Sequence, residues 1–272
     1  MAVMNAPGYI KWLISEQSVR LEDGIAISCY KLDYSIDDDL FDEWALHIRR
    51  HYESDDELKE SLIATSLSIE EYLKTFVIPQ KSDPFGPTSR SNDFTEIMIS
   101  DLVEFINGYT VPRCKQDNRS GKTNSAHGTD ILAYKFHKPN HTPSKRDELL
   151  VIEVKAGLSS DSYEPISKAV ADSHQYDDVR YAHTLNFYRK SLRYKECYQQ
   201  ANDIARFQRK SEHDFIMNFI AAAVISRENI PNNIVIGIKG DDLELRKNDK
   251  IFLIHGKTLM DLAHQIYERC KK

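Results

Sequence analysis

The sequence predicts an α/β domain, a mixed sheet flanked by helices, preceded by an acidic and mainly helical N-terminal region. Three observations carry that prediction. Residues 129–136 (TDILAYKF) and 148–155 (ELLVIEVK) are short segments rich in β-branched and aromatic residues, joined by a polar connector with Pro139 and Pro143. Residues 164–226 are almost free of Gly and Pro and read as helical. Residues 233–239 and 250–255 read as a further β pair, and 259–269 as an amphipathic closing helix. Helices, then strands, then helices are also compatible with an α+β arrangement.

The elements follow in order. Residues 24–34 (GIAISCYKLDY) are a predicted strand. Leu40, Phe41, Trp44, Ala45, Ile48 and Tyr52 then recur on one helical face, behind Asp37, Asp38 and Asp39 as a helix start. Ser54 with Glu57, and Ser68 with Glu71, have the capping-box spacing that opens two more helices. Residues 79–93 concentrate Pro, Gly, Ser and Asp and read as a linker or ordered loop. That places a strand-plus-helices region at 1–80 and the main domain at 92–272. Within the latter, 94–107 is a helix apolar around much of its circumference, 109–115 a strand weakened by Pro112, and 116–127 a polar loop.

Composition bounds the class. The 272 residues are 41% hydrophobic and 29% charged, with 10 Gly and 9 Pro, which is globular usage and excludes disordered and low-complexity classes. Cys29, Cys114, Cys197 and Cys270 are too scattered for a zinc knuckle or a CxxC redox pair and fit reduced thiols. The N-terminal segment carries Pro-Gly and Lys inside its apolar stretch, unlike a signal peptide, and no apolar run approaches a bilayer span. A soluble cytoplasmic protein without a membrane partner is the expectation.

The chemistry concentrates in GTDILAY (128–134) and VIEVKAG (151–157). Alternate strand residues share a face, so Glu153 and Lys155 project together while Ile152 and Val154 pack on the other side. Two charges on an apolar strand are costly unless paired or bound to a metal. Asp130 opens the neighbouring strand behind Gly128, which permits close backbone approach. On adjacent strands Asp130 and Glu153 converge on one hard divalent cation, and Mg²⁺ is commonly held by one or two carboxylates. Lys155 then lies beside the metal-bound water, whose pKa both cations lower for attack on phosphorus. The alternatives are a cross-strand ion pair on a solvated face and an ordinary turn Asp.

Asp130, followed after a connector by Glu153-Val154-Lys155, resembles the signature of the PD-(D/E)xK nuclease superfamily, with Gly128-Thr129 in place of the residues that usually precede the Asp. Over about residues 92–255 the chain is similar to the nuclease subunit of Hachiman-type anti-phage systems, the HamA/AbpA-like family. The resemblance implies a restriction-endonuclease-like core and Mg²⁺-dependent hydrolysis of DNA, with Mn²⁺ as a substitute ion. It also implies a superfamily 2 helicase partner. Asp130 and Glu153 would bind metal and Lys155 would activate water. Glu96 is the candidate for the acidic residue that the superfamily carries on the helix before the sheet; its alternative is a first-turn cap after Asp93. Gln175 and His127 are accessory candidates, with a loop histidine as the alternative for the latter. A catalytically silent adaptor that binds DNA or the helicase is the competing reading.

Two other patterns carry less. Ser120-Gly121-Lys122-Thr123 lacks the earlier Gly of a phosphate-binding loop, Gln116 standing there. His47 and His51 have zinc-ligand spacing but lie among Arg49 and Arg50, and a solvated helix face is expected. The net charge of −6 conceals two opposed regions. Residues 33–71 hold thirteen acids against three bases, and 180–210 hold eight bases against two acids. In the basic segment Arg189, Lys190, Arg193 and Lys195 are interleaved with Phe187, Tyr188, Tyr194, Tyr198 and Phe207, which suits DNA backbone contact and base stacking.

Overall fold

Among the described residues, seven strands form one sheet. They are β1 (Leu13–Ser15), β2 (Val19–Arg20), β3 (Ala26–Leu32), β4 (Ile131–Lys135), β5 (Glu148–Gly157), β6 (Ile216–Ser226) and β7 (Lys250–Gly256). The order is β1-β3-β7-β6-β5-β4, with β2 also paired to β3. The four central strands β3, β7, β6 and β5 run parallel, while β1, β2 and β4 are antiparallel to their neighbours. The computed structural model describes residues 5–20, 26–124, 128–175, 178–230 and 250–271. The predicted strand at 233–239 and His127 lie outside the described residues.

Helices cover both faces. They are α1 (Asp38–Tyr52), α2 (Asp55–Thr65), α3 (Ile69–Tyr72), α4 (Gly86–Asp101), α5 (Glu164–Ser173), α6 (Asp178–Tyr194), α7 (Tyr198–Gln208) and α8 (Leu259–Arg269). One core joins Trp44 of α1, Phe94 and Ile97 of α4, Leu262 and Ile266 of α8, and the inward side chains Ile152, Val154, Ala222, Val224 and Ile254 of the sheet. On the opposite face Ala221, Ala223, Ile225 and Leu253 pack against α5, while Leu149 and Val151 pack against α6 and α7. This mixed sheet between helical layers is consistent with a restriction-endonuclease-like α/β core. No helix among the described residues is long and apolar enough to cross a membrane.

Local signals are realised where they are self-contained. Asp37 caps α1 by accepting from the Leu40 N–H at 3.0 Å, and both capping boxes form at Ser54/Glu57 and Ser68/Glu71. Each such cap contributes about 1 kcal/mol.

Several expectations change. The 79–93 stretch is not a linker throughout: α4 starts at Gly86 with Pro87 in its first turn. A Cβ at Gly86 would lie 1.8 Å from the Gln80 carbonyl oxygen, so only Gly permits this tight entry. The predicted strand at 109–115 reduces to one bridge, Thr110 with Tyr134, because Pro112 lacks the N–H a ladder needs. The helical segment at 164–226 ends with α7. Its last part is strand β6, which sits between β5 and β7 with apolar neighbours on both faces. The acidic N-terminal region does not stand apart, since β3 pairs with β7 and α1 shares the main core.

The irregular segment 113–119 is tied to α4 by buried ion pairs. Arg113 meets Asp101 at 2.7 Å, Lys115 lies 3.5 Å from Glu96, and Arg119 donates to Asp93 at 2.7 Å. Asp101 also accepts from Tyr9 Oη at 2.6 Å and from His47 Nε2 at 2.9 Å. The Arg113 guanidinium only donates, so His51 Nε2 must accept from it, and His51 Nδ1–H donates to the His47 carbonyl. His47 and His51 are thus buried, contrary to the solvated face expected for them. With Asp101 they form a group of metal-ligating type. His47 Nε2, both nitrogens of His51 and both oxygens of Asp101 already have partners, and the guanidinium beside them repels a cation.

Burial, the His47 ring and Arg113 hold His51 far below the ordinary imidazole pKa. Asp101 is held below the usual carboxylate range despite complete burial, by His47 and Arg113. In both cases the unfolded chain binds more protons, so acidification destabilises the fold. The contribution of His51 should be lost as pH drops below about 6.5 and that of Asp101 below about 4, each read as the pH dependence of the urea stability that its substitution removes. His51→Gln should remove the first phase. Asp101→Ala should cost roughly 3–5 kcal/mol, because it leaves Arg113 buried without its partner.

Candidate active site

The β4–β5 pairing positions the first two acidic groups. Ile131 lies opposite Ile152, and one further step along this register places Asp130 opposite Glu153. Gly128 adopts φ +104° and packs against Thr184 of α6, where a Cβ would come within 3.2 Å of the Thr184 hydroxyl. Thr129 Oγ1 donates to the Ile152 carbonyl at 2.9 Å, and Asp130 Oδ2 accepts from the Val154 N–H at 2.8 Å. The Asp130 side chain thereby continues the ladder that its own backbone leaves.

Glu153 and Lys155 share the face covered by α5 and α6, with Ile152 and Val154 in the opposite core as the alternation predicts. Their neighbours on β6 are Ala221 and Ala223, whose small side chains leave room for two long charged ones. Glu153 is 3% exposed and accepts from Arg180 at 3.1 Å. Lys155 Nζ is 2.5 Å from Asp172 Oδ2 on α5. Glu96 lies well inside α4, ten residues past Gly86, so a first-turn cap does not describe it. Its carboxylate accepts from Gln116 at 3.2 Å.

Between Glu96 and Asp130 stands Lys115, its Nζ 2.6 Å from Asp130 Oδ1 and 3.5 Å from Glu96 Oε1. Burial pushes the Glu96 carboxyl up to about 8, with Asp130 and Asp93 adding and Lys115 and Arg119 opposing. Burial and then Asp130 push Glu153 up to about 7, against Arg180, Lys115 and Lys155. Although burial opposes it, Lys115 is raised above its ordinary value by Glu96, Asp130 and Glu153. Glu96 and Asp130 thus share the Lys115 ammonium, while Glu153 feels Arg180, Lys115 and Lys155. Carboxylate oxygens are the donor type that Mg²⁺ takes, but among the described residues the one trio of ligating atoms within 4.8 Å of one another is that of His47, His51 and Asp101.

The structure thus sets Asp130 opposite Glu153, with Lys155 two residues on, and links Glu96 to Asp130 through Lys115. Gln175, exposed at the end of α5, donates to Asp172 at 3.4 Å and so adjoins the partner of Lys155. On α6, Lys190 and Arg193 are exposed, with Tyr194 85% exposed beside them. Arg189 is half-buried and donates to Asn186. Lys195 differs from the expected DNA contact: it pairs with Asp117 and donates to the Arg113 carbonyl at 3.1 Å. Tyr188 and Phe207 are core residues rather than stacking platforms.

Lys115, Gln116, Asp172 and Arg180 were not legible as site residues. Each is a polar residue on a loop or helix with no periodicity or spacing to the strand motif; only the fold carries them there.

Glu96 ionises in the unfolded chain near the ordinary carboxylate value but only at about 8 in the metal-free fold. A raised carboxyl pKa costs stability progressively as pH climbs between those values. Glu96→Gln should therefore stabilise the metal-free protein. The gain over wild type should grow from about pH 5 and level off above the folded value, as read by urea unfolding in EDTA.

The sequence from 7 to 270 matches a family model described as HamA, which covers nearly the whole chain. No curated protein shows significant similarity to it. The match reaches well beyond the strand motif into α1 and α8, the helices that close the core shared with the N-terminal region. The chain belongs to the HamA family, which links it to Hachiman-type, multi-component anti-phage defence.

Proposed function

We propose that this protein is a metal-dependent DNA nuclease of the PD-(D/E)xK type that hydrolyses phosphodiester bonds as the effector subunit of a nuclease–helicase defence complex. The observation that supports this most is the register that sets Asp130 opposite Glu153 at the β4–β5 edge, with Lys155 two residues further along the same face and Glu96 linked to Asp130 through Lys115. Asp130 and Glu153 would hold Mg²⁺, assisted by Glu96. A bound Mg²⁺ supplies neutralisation of the phosphate charge and acidification of a water.

The protein groups have distinct tasks. Lys155, anchored by Asp172, presents its ammonium to orient the attacking water. The Val154 N–H and Thr129 fix the Asp130 carboxylate and its strand against slippage. Arg180 neutralises Glu153 from the α6 side. The exposed Lys190 and Arg193 are placed for backbone phosphates, and Tyr194 for a base. A helicase partner fits a chain whose total charge is acidic.

One observation favours the silent-adaptor reading. Lys115 places an ammonium among the carboxylates, where a bound ion would be.

Incubating plasmid with the purified chain, alone and with its helicase partner, in Mg²⁺, Mn²⁺ or EDTA separates the two. Cutting should require metal and rise from pH 6 to 8.5, since ligating carboxylates must lose their protons. Asp130→Asn and Glu153→Gln should abolish it, and Lys155→Ala should lower it by about 10²–10⁴-fold. Cleavage that survives the Glu153→Ala, Lys155→Ala double change sinks this site assignment. No metal-dependent cutting even with an active partner supports the adaptor. For the α6 surface, reversing Lys190 and Arg193 to Glu should weaken DNA binding at every sequence. Its salt dependence should also flatten, by about one unit of log–log slope per lost phosphate contact.

A further inference from the structure

We propose that Lys115 is an internal cation that closes the metal site: its ammonium stands where a divalent ion would bind, and the ion enters only when segment 113–119 carries Lys115 away from Asp130 and Glu96. The inference rests on the reading of Asp130, Glu153 and Glu96 as metal ligands.

The geometry makes the two cations mutually exclusive. Lys115 Nζ is 2.6 Å from Asp130 Oδ1 while Oδ2 is committed to the Val154 N–H, so Oδ1 is the oxygen left for an ion. A Mg²⁺ sits about 2.0–2.1 Å from a carboxylate oxygen. An ammonium already in hydrogen-bond contact with that oxygen would lie against the ion, at a separation where like charges repel strongly. The Lys115 side chain is only 5% exposed, so little water intervenes to screen the repulsion.

Lys115 also differs from an ordinary structural lysine in what surrounds it. One positive charge is shared by Asp130 and Glu96, and Glu153 relies on Arg180. The carboxylates therefore outnumber the charge that Lys115 brings. Its neighbours in the chain show how it is held. Arg113 is locked into Asp101, Glu104 and His51 on one side, and Arg119 into Asp93 on the other.

Between these anchors Asp117 and the Arg113 carbonyl are gripped by Lys195, just beyond α6. Lys195 follows directly on Arg193 and Tyr194, the exposed end of the basic surface. Lys195 is thus a positioning residue, acting through the segment rather than on the ion. A group engaging that end of α6 competes with Asp117 for its ammonium and loosens the segment that carries Lys115.

The test is Mn²⁺ binding to the full-length chain, read by electron paramagnetic resonance of the free ion, with folding followed by circular dichroism. Lys115→Met keeps the length of the side chain and removes its charge. It should bind Mn²⁺ at least about tenfold more tightly than wild type, whereas Lys115→Arg, which keeps the charge, should not. Lys195→Met leaves Lys115 in place and should tighten binding by a smaller factor, so a failure of Lys115→Met to fold does not end the test. Asp130→Asn should abolish binding in every background.

Wild-type binding that Asp130→Asn removes but that neither Lys115→Met nor Lys195→Met tightens overturns the role of Lys115 and leaves the metal ligands standing. Tight binding by Lys115→Met that persists with Asp130→Asn overturns the site reading as well, as does absence of binding in every variant.

Discussion

Three acidic side chains of one helix are buried, and each depends on a cation from a segment with no regular structure of its own. Asp93, Glu96 and Asp101 of α4 meet Arg119, Lys115 and Arg113. An uncompensated buried charge costs several kcal/mol, so α4 can pack against the sheet only with segment 113–119 in place. The segment in turn has no ladder to hold it and is positioned by those same pairs, together with Lys195. The outer two pairs are structural. The middle one lies at the site, which is why the position of Lys115 is dictated by its neighbours.

The same helix holds carboxylates shifted in opposite directions. Asp101 accepts from Tyr9, His47 and Arg113, and its pKa is depressed although it is wholly buried. Glu96, five residues earlier, has one amide donor and a shared ammonium at 3.5 Å, and its pKa is raised. A fully satisfied carboxylate is part of the scaffold. An under-satisfied one, within the field of other carboxylates, is poised for a positive ligand. Buried ion pairs contribute little net stability against an apolar alternative. The scaffold pairs matter here for the single arrangement they impose on the segment beside the site.

How much of this could be read from the chain depended on the range of the interactions involved. The capping boxes at Ser54 and Ser68 and the cap at Asp37 are complete within four residues and were legible. The alternation of Glu153 and Lys155 against Ile152 and Val154 is a property of one strand and was legible too. Strand β6 was not. Its Ala221, Ala222 and Ala223 favour a helix intrinsically, and a strand buried on both faces has no alternation to contradict that preference. The small side chains make sense only once Glu153 and Lys155 are seen beside them. Likewise 79–93 looked like a linker because Pro and Gly dominate its composition, although the helix that follows begins inside it.

Sequence alone therefore settled the class of the fold, the starts of α1, α2 and α3 and the charged face of β5, because these follow from backbone geometry and from neighbours a few residues away. Asp130 and the Glu153–Lys155 pair could be matched across strands because they lie on consecutive strands. Which helix faces them, the entry of the N-terminal strand β3 into the same sheet, and the placing of Lys115, Asp172 and Arg180 were decided only by the tertiary structure. Buried charges choose partners by proximity in space, and the partner of a buried carboxylate can come from any segment that packing brings within reach.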